Sequence, residues 1–146
     1  MTDLDLCYET AQVLTRRIKA GEISAREVMQ NTLARIEAVN PQLNCFCFVF
    51  AERAMAQAAA ADEAQARGEA LGPLHGIPVA FKDLTPTKGD RTTLGSKIFE
   101  HNVADYDPVI VQRTKAAGAI VVALSFVALL FFVVLLEFCL CPQPPS

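Results

Sequence analysis

The chain has 146 residues, with 13 Lys and Arg against 16 Asp and Glu for a formal charge of −3. That length suits one modest domain burying roughly two-thirds of its unfolded surface, with little room for a second. A slightly acidic chain offers no basic field for phosphates, so no direct nucleic-acid recognition is expected.

The opening stretch, MTDLDLCYET, is acidic and lacks the apolar core of a secretory signal. No export is expected, and a cytoplasmic location is. Tyr8 to Ala20 places Ala11, Leu14 and Ile18 at helical spacing, with Arg16, Arg17 and Lys19 towards the end that favours cations and Gly21 as a stop. Ser24 and Glu27 have the spacing of a capping box. Val28, Met29, Leu33, Ile36 and Val39 continue as an apolar stripe, which Asn40-Pro41 is expected to end. Cys45 to Phe50 is short, aromatic and β-prone, and reads as a strand or extended core segment. Ala51 to Arg67 carries no Gly or Pro and reads as a helix that Gly68 closes. After turn signals at Gly72-Pro73 and His75-Gly76, the run Ile77 to Phe81 reads as a buried strand with Lys82 at its C-terminal end. Asp83 to Asn102, holding Pro86, Gly89 and Gly95, reads as a long surface loop of the kind that builds sites. A helix over Val109 to Ala117, then Gly118 and a strand over Ala119 to Val122, complete an order that argues for an α/β sheet.

Texture changes near residue 124, dividing the sequence into 1–123 and an atypical apolar segment with a Pro-rich tail, 124–146. From Ser125 onward the only charged side chain is Glu137. The uncharged run 116–136 has the length of a membrane span, which would put Arg113 and Lys115 on the cytoplasmic side. Its first third is already claimed by the strand ending at Val122. A tail anchor, a disrupted or frame-shifted end, and a segment buried by a partner chain all stay open. Oligomeric state is not legible. The pairs Cys45-x-Cys47 and Cys139-x-Cys141 are closer than structural zinc ligands usually are, and the odd total of five cysteines fits free thiols in a reducing compartment.

The segment Gly72-Pro73-Leu74-His75-Gly76-Ile77-Pro78-Val79-Ala80-Phe81-Lys82-Asp83, followed by Thr92-Thr93-Leu94-Gly95-Ser96, resembles the catalytic-lysine region of the amidase signature family. A turn, an apolar strand, a Lys-Asp pair and a Thr-Thr-x-Gly-Ser loop in fixed order make the resemblance specific, and it extends loosely over residues 5–123. It implies N-terminal helices followed by the first strands of an incomplete mixed sheet of the amidase signature fold. It also implies hydrolysis of a carboxylic amide, or transfer of its ammonia, through an acyl-serine, with neither metal nor organic cofactor. The family triad is a nucleophilic serine, a bridging serine on a cis peptide and a lysine, which here corresponds to Lys82. Such a base works only where its surroundings disfavour its charged form, and the apolar run before Lys82 suits that role.

Both family serines stand in a Gly- and Ser-rich loop further along. The serines of this chain, Ser24, Ser96, Ser125 and Ser146, have no such neighbours. Family likeness stops after Val122, where Gly-Lys-Thr-Asn would be expected and Ala123-Leu124-Ser125-Phe126 stands. The expectation is therefore an inactive, truncated amidase, a small-molecule amide being the substrate of a complete relative. The rival is a membrane-anchored or interaction protein that keeps the segment as scaffold. Asp83 is expected to order the loop after it, since neighbouring strand residues face opposite ways. His75 is expected to stay off the substrate, and His101 to be solvated.

Overall fold

The computed structural model describes residues 4–126. A 3-10 turn, Leu4–Tyr8, leads into α1 (Ala11–Ala20), α2 (Ala25–Leu43), β1 (Phe46–Val49), α3 (Ala51–Ala66), β2 (Pro78–Lys82), α4 (Val109–Ala116) and β3 (Ile120–Ser125), with a second 3-10 turn at Lys97–Phe99. The strands form a mixed sheet ordered β1-β3-β2, in which β3 pairs antiparallel with β1 and parallel with β2. This is the α/β architecture of leading helices and few strands that the sequence leads one to expect.

The capping box forms as read. The Ser24 side chain accepts from Glu27 N at 3.0 Å, and a Glu27 carboxylate oxygen accepts from Ser24 N at 2.8 Å. Three boundaries differ from expectation. The first helix begins at Ala11 rather than Tyr8, because Thr10 takes an extended conformation and its hydroxyl accepts from Val13 N. The second helix passes through Pro41 to Leu43. A proline so close to the end removes one donor without stopping the last turn, and Asn40 compensates through Oδ1, which accepts from Cys45 N and Phe46 N at 3.0 and 2.9 Å. Asn44, left-handed at φ 47°, then closes the helix. The last strand runs three residues beyond Val122 to Ser125, all of it buried.

Strand alternation sends apolar side chains to both faces of the sheet. On one face Phe46, Ala80, Ile120, Val122 and Ala123 pack with Leu14 and Ile18 of α1, Val28, Met29 and Ile36 of α2, and Ala54 and Ala58 of α3. The small alanines let α3 lie close to the sheet. On the other face Val111 of α4 is fully buried against Phe81, Val121 and Leu124, beside Phe48, Phe50 and Val79. The uncharged run 116–136 is accordingly not one helix, since Ala116 ends α4 and Ile120–Ser125 is a strand. No helix among the described residues is long and apolar enough to cross a membrane. Residues 127–136, Cys139, Cys141 and the Pro-rich tail lie outside the described residues.

The Gly-Pro-Leu-His-Gly turn packs backbone to backbone on the turn between α4 and β3. Leu74 N donates to Ala117 O at 2.8 Å and Gly76 N to Gly118 O at 3.0 Å. A Cβ on Gly72 would sit 2.3 Å from Ala117 O, and one on Gly118, whose φ is +93°, would sit 2.9 Å from His75 Cα. Gly89 also has positive φ, but nothing lies within 4 Å of its would-be Cβ. Gly89→Ala should therefore cost about 1 kcal/mol, from conformation alone. Gly118→Ala should cost a further 1 to 3 kcal/mol, roughly, because backbone must yield. Urea midpoints of the two variants would separate the terms, and equal midpoints would refute this close packing.

Ser24 N–H, and after it the Ser24 hydroxyl, hold the Glu27 carboxyl below the usual glutamate range. A depressed folded value means that the stability it supplies is present above the unfolded value, about pH 4.3, and lost as pH falls through the folded one. Glu27→Gln should flatten that part of the acid limb in a pH series of denaturation midpoints, while leaving its shape near pH 7 unchanged.

A candidate active site at the end of strand β2

Lys82 is the last residue of β2, and backbone bonds hold it on both sides. Its carbonyl accepts from Thr85 N at 2.8 Å, and the next amide, Asp83 N, donates to Ser125 O at 2.9 Å. Its side chain is half-buried. Among the described residues its Nζ makes neither an ion pair nor a hydrogen bond. The register sets its neighbour: Val79 pairs with Val121, but Ala80 pairs with Ala123, so β3 carries one extra residue and Lys82 comes level with Ser125.

Asp83, buried at 3% exposure, turns to the following loop. Its carboxylate accepts from Thr93 N at 2.8 Å and also from the Thr93 hydroxyl, which in turn accepts from Gly95 N at 3.3 Å. Asp83 thus orders the loop, as alternation suggests. The clamp supports a left-handed pair, Leu94 at φ 54° and Gly95 at φ 67°. A non-glycine residue there is strained by about 1 kcal/mol or more, so the backbone needs such an anchor.

Further clamps fix the rest of the loop. Thr92 and Asn102 exchange bonds, Thr92 N to Asn102 O at 3.0 Å and Asn102 Nδ2 to Thr92 O at 2.9 Å. Arg53 of α3 forks onto the buried Asp90 carboxylate and lies over the Phe50 ring. Asp107 receives Lys88 N at 2.7 Å and Lys115 Nζ at 2.8 Å. Burial pushes the Asp107 carboxyl up, but its bonds to Lys115 and Lys88 outweigh burial and leave it below its ordinary range.

The other candidates fall away from Lys82. His75 is buried at the opposite end of β2, with Nε2 3.0 Å from Ala61 O, and since a carbonyl only accepts, that nitrogen carries the proton. His101 is exposed. The Ser96 hydroxyl accepts from Ile98 N and starts the short 3-10 turn. Cys7, Cys45 and Cys47 form no disulfide among the described residues. Burial, then the charge of Asp83, pushes the Cys47 thiol up, which leaves it a poor nucleophile at neutral pH. No metal-holding cluster of His, Cys, Asp and Glu occurs among the described residues. Ser125 is the residue whose place sequence reading misses. The only signal was a hydroxyl closing an otherwise apolar strand.

Thr93→Val keeps the shape of the side chain and removes one donor from a buried carboxylate, which should cost about 1 to 3 kcal/mol, while Thr93→Ser should stay near the parent. Urea denaturation compares them, and a loss confined to Thr93→Ser would point to packing of the methyl group instead.

Comparison with known proteins agrees with this geometry. The family model described as Amidase matches residues 27–130. The A subunit of the glutamyl-tRNA(Gln) amidotransferase of Carboxydothermus hydrogenoformans is 46% identical over 117 residues, covering 80% of this chain and 24% of that protein. Its counterpart in Thioalkalivibrio sulfidiphilus is 48% identical over 110 residues, covering 75% of this chain and 22% of its own. A solved fatty acid amide hydrolase superposes with a TM-score of 0.80 at 26% identity, covering 85% of this chain and 22% of that one. The peptide amidase of Stenotrophomonas maltophilia gives 0.73 at 30% identity over 80% of this chain and 24% of its own. The chain thus spans about a quarter of the length of these relatives, and with a family match that runs on through β3 it belongs to the amidase family.

Proposed function

We propose that this chain carries the base of an amide-cleaving site, Lys82, whose partner serines it does not itself contain. In a complete protein of this kind Lys82 accepts the proton of a bridging serine, a second serine attacks the carbonyl of a small-molecule amide, and the C–N bond breaks through an acyl-serine. Hydrolysis, or passage of the released ammonia to an acceptor, completes the turnover. Likeness to the amidotransferase relatives favours the ammonia branch.

The observation that carries this reading is Lys82 itself. It is a half-buried lysine at the C-terminal end of a parallel strand pair, with its backbone held on both sides and no carboxylate on its Nζ among the described residues. An ion-paired lysine would be stabilised in its charged form and made a poorer base. The 146-residue chain alone turns over no amide, because Ser24 and Ser96 are engaged in caps and Ser125 is buried in a strand. Its thiols suit a cytoplasmic setting.

The test is a hybrid in which residues 1–126 replace the matching segment of the Carboxydothermus hydrogenoformans protein. The hybrid should release ammonia from an amide, and Lys82→Met should lower its kcat by about a thousandfold. Activity retained within about tenfold would remove Lys82 from the base role. The isolated 146-residue chain should take up no serine-directed fluorophosphonate, and labelling would overturn its inactivity.

A further inference from the structure

The extra residue in β3 changes what stands beside Lys82. With an unbroken register Lys82 would come level with Leu124, but the shift after Val79 brings it level with Ser125. Neighbours in a parallel pair point to the same side of the sheet. The strands obey this: Phe81 and Leu124 share one apolar cluster, and Ala80 and Ala123 the other. One step further, Lys82 and Ser125 share the side of Ala80 and Ala123. A hydroxyl, buried at 3% exposure, therefore stands next to the lysine where a leucine would otherwise be.

Ser125 also grips the backbone on both flanks of Lys82. Its hydroxyl donates to Phe81 O at 3.4 Å, and its carbonyl accepts from Asp83 N at 2.9 Å. Any residue at this position could supply the carbonyl. Only a hydroxyl side chain closes the second hold at so small a volume. Bulges commonly re-aim side chains beside active sites.

We propose that Ser125 is a positioning residue for Lys82, fixing the two peptides that flank the lysine and keeping a hydroxyl on its side of the sheet. The proposal rests on the reading of Lys82 as a base, and it deepens that reading by assigning part of the site to a residue beyond Val122. Ser125 acts through the strand end and takes no covalent part.

Its test reads Lys82 directly in the full 146-residue chain. Limiting acetic anhydride acylates the lysines in competition, and peptide mass spectrometry gives each rate relative to Lys19, on α1, and Lys115, on α4. Ser125→Ala should raise acylation of Lys82 by about threefold as the strand end loosens, with the ratio of Lys19 to Lys115 unchanged. Ser125→Thr, which keeps the hydroxyl, should restore the parent value. Ser125→Cys keeps the volume with a weak donor and should follow alanine, which covers the case in which the alanine variant folds poorly. Unchanged Lys82 acylation in the Ala and Cys variants would overturn the proposal. So would a Thr variant that behaves like Ala, or a rise shared by all lysines. The two readings fail separately: an active Lys82→Met hybrid removes the base, whereas insensitive acylation removes only the positioning.

Discussion

The parallel pairing of β2 with β3 is the constraint on which the rest of the described structure depends. Among the described strands β3 alone touches both others, so it decides where β1 and β2 lie, and the one-residue shift between Val79 and Ala80 decides what meets what. Without the shift, Leu124 would come level with Lys82, although it belongs with Phe81, Val121 and Val111 in the apolar layer under α4. With it, that layer closes and a polar pair, Lys82 and Ser125, is left at the strand ends. Apolar burial and site geometry follow from the same irregularity.

Around this strand end the protein relies on buried carboxylates more than on apolar contact. Asp83 and Asp90 sit in the interior with their oxygens taken by Thr93 and Arg53, and Asp107 ties Lys88 to Lys115. Such groups cost free energy when half satisfied and rigidify when fully satisfied. The loop after Lys82 has few apolar anchors, and Ile98, Val103 and Tyr106 are exposed. Its shape is accordingly written in polar clamps, each joining residues distant in sequence. This division leaves Lys82 without an acidic partner among the described residues, because its adjacent carboxylate is engaged elsewhere.

Much of this was legible in the chain. The capping box at Ser24 and Glu27, the stop at Gly21, the alanine-rich third helix and the strand leading to Lys82 are local signals, and local physics suffices for them. The fate of Asp83 followed from strand alternation. What escaped was non-local. Pro41 read as a helix stop because its compensation comes from the Asn40 side chain reaching forward to Cys45 and Phe46. Val122 read as the last family-like strand residue, whereas β3 continues to Ser125 and the family match to residue 130. The place of Ser125 could not be read, since a register shift leaves no mark on composition or periodicity. His75 read as a residue that stays off the substrate, but that its ring reaches Ala61 O and joins the glycine turn to α3 was not legible.

The strand order also has a meaning in time. β3 is central in the sheet but last in sequence among the described elements, and β1 and β2 share no edge. Two helices that touch early in the chain, α2 and α3, can pair as soon as they are made. Neither β1 nor β2 can pair with β3 until residues 120–125 have left the ribosome. Until then Phe46–Val49 and Pro78–Lys82 wait as unpaired, apolar edges, the kind of surface that chaperones hold and that aggregation exploits. A sheet whose first two described strands must wait for the third makes the yield of folded protein depend on how fast residues 120–125 arrive.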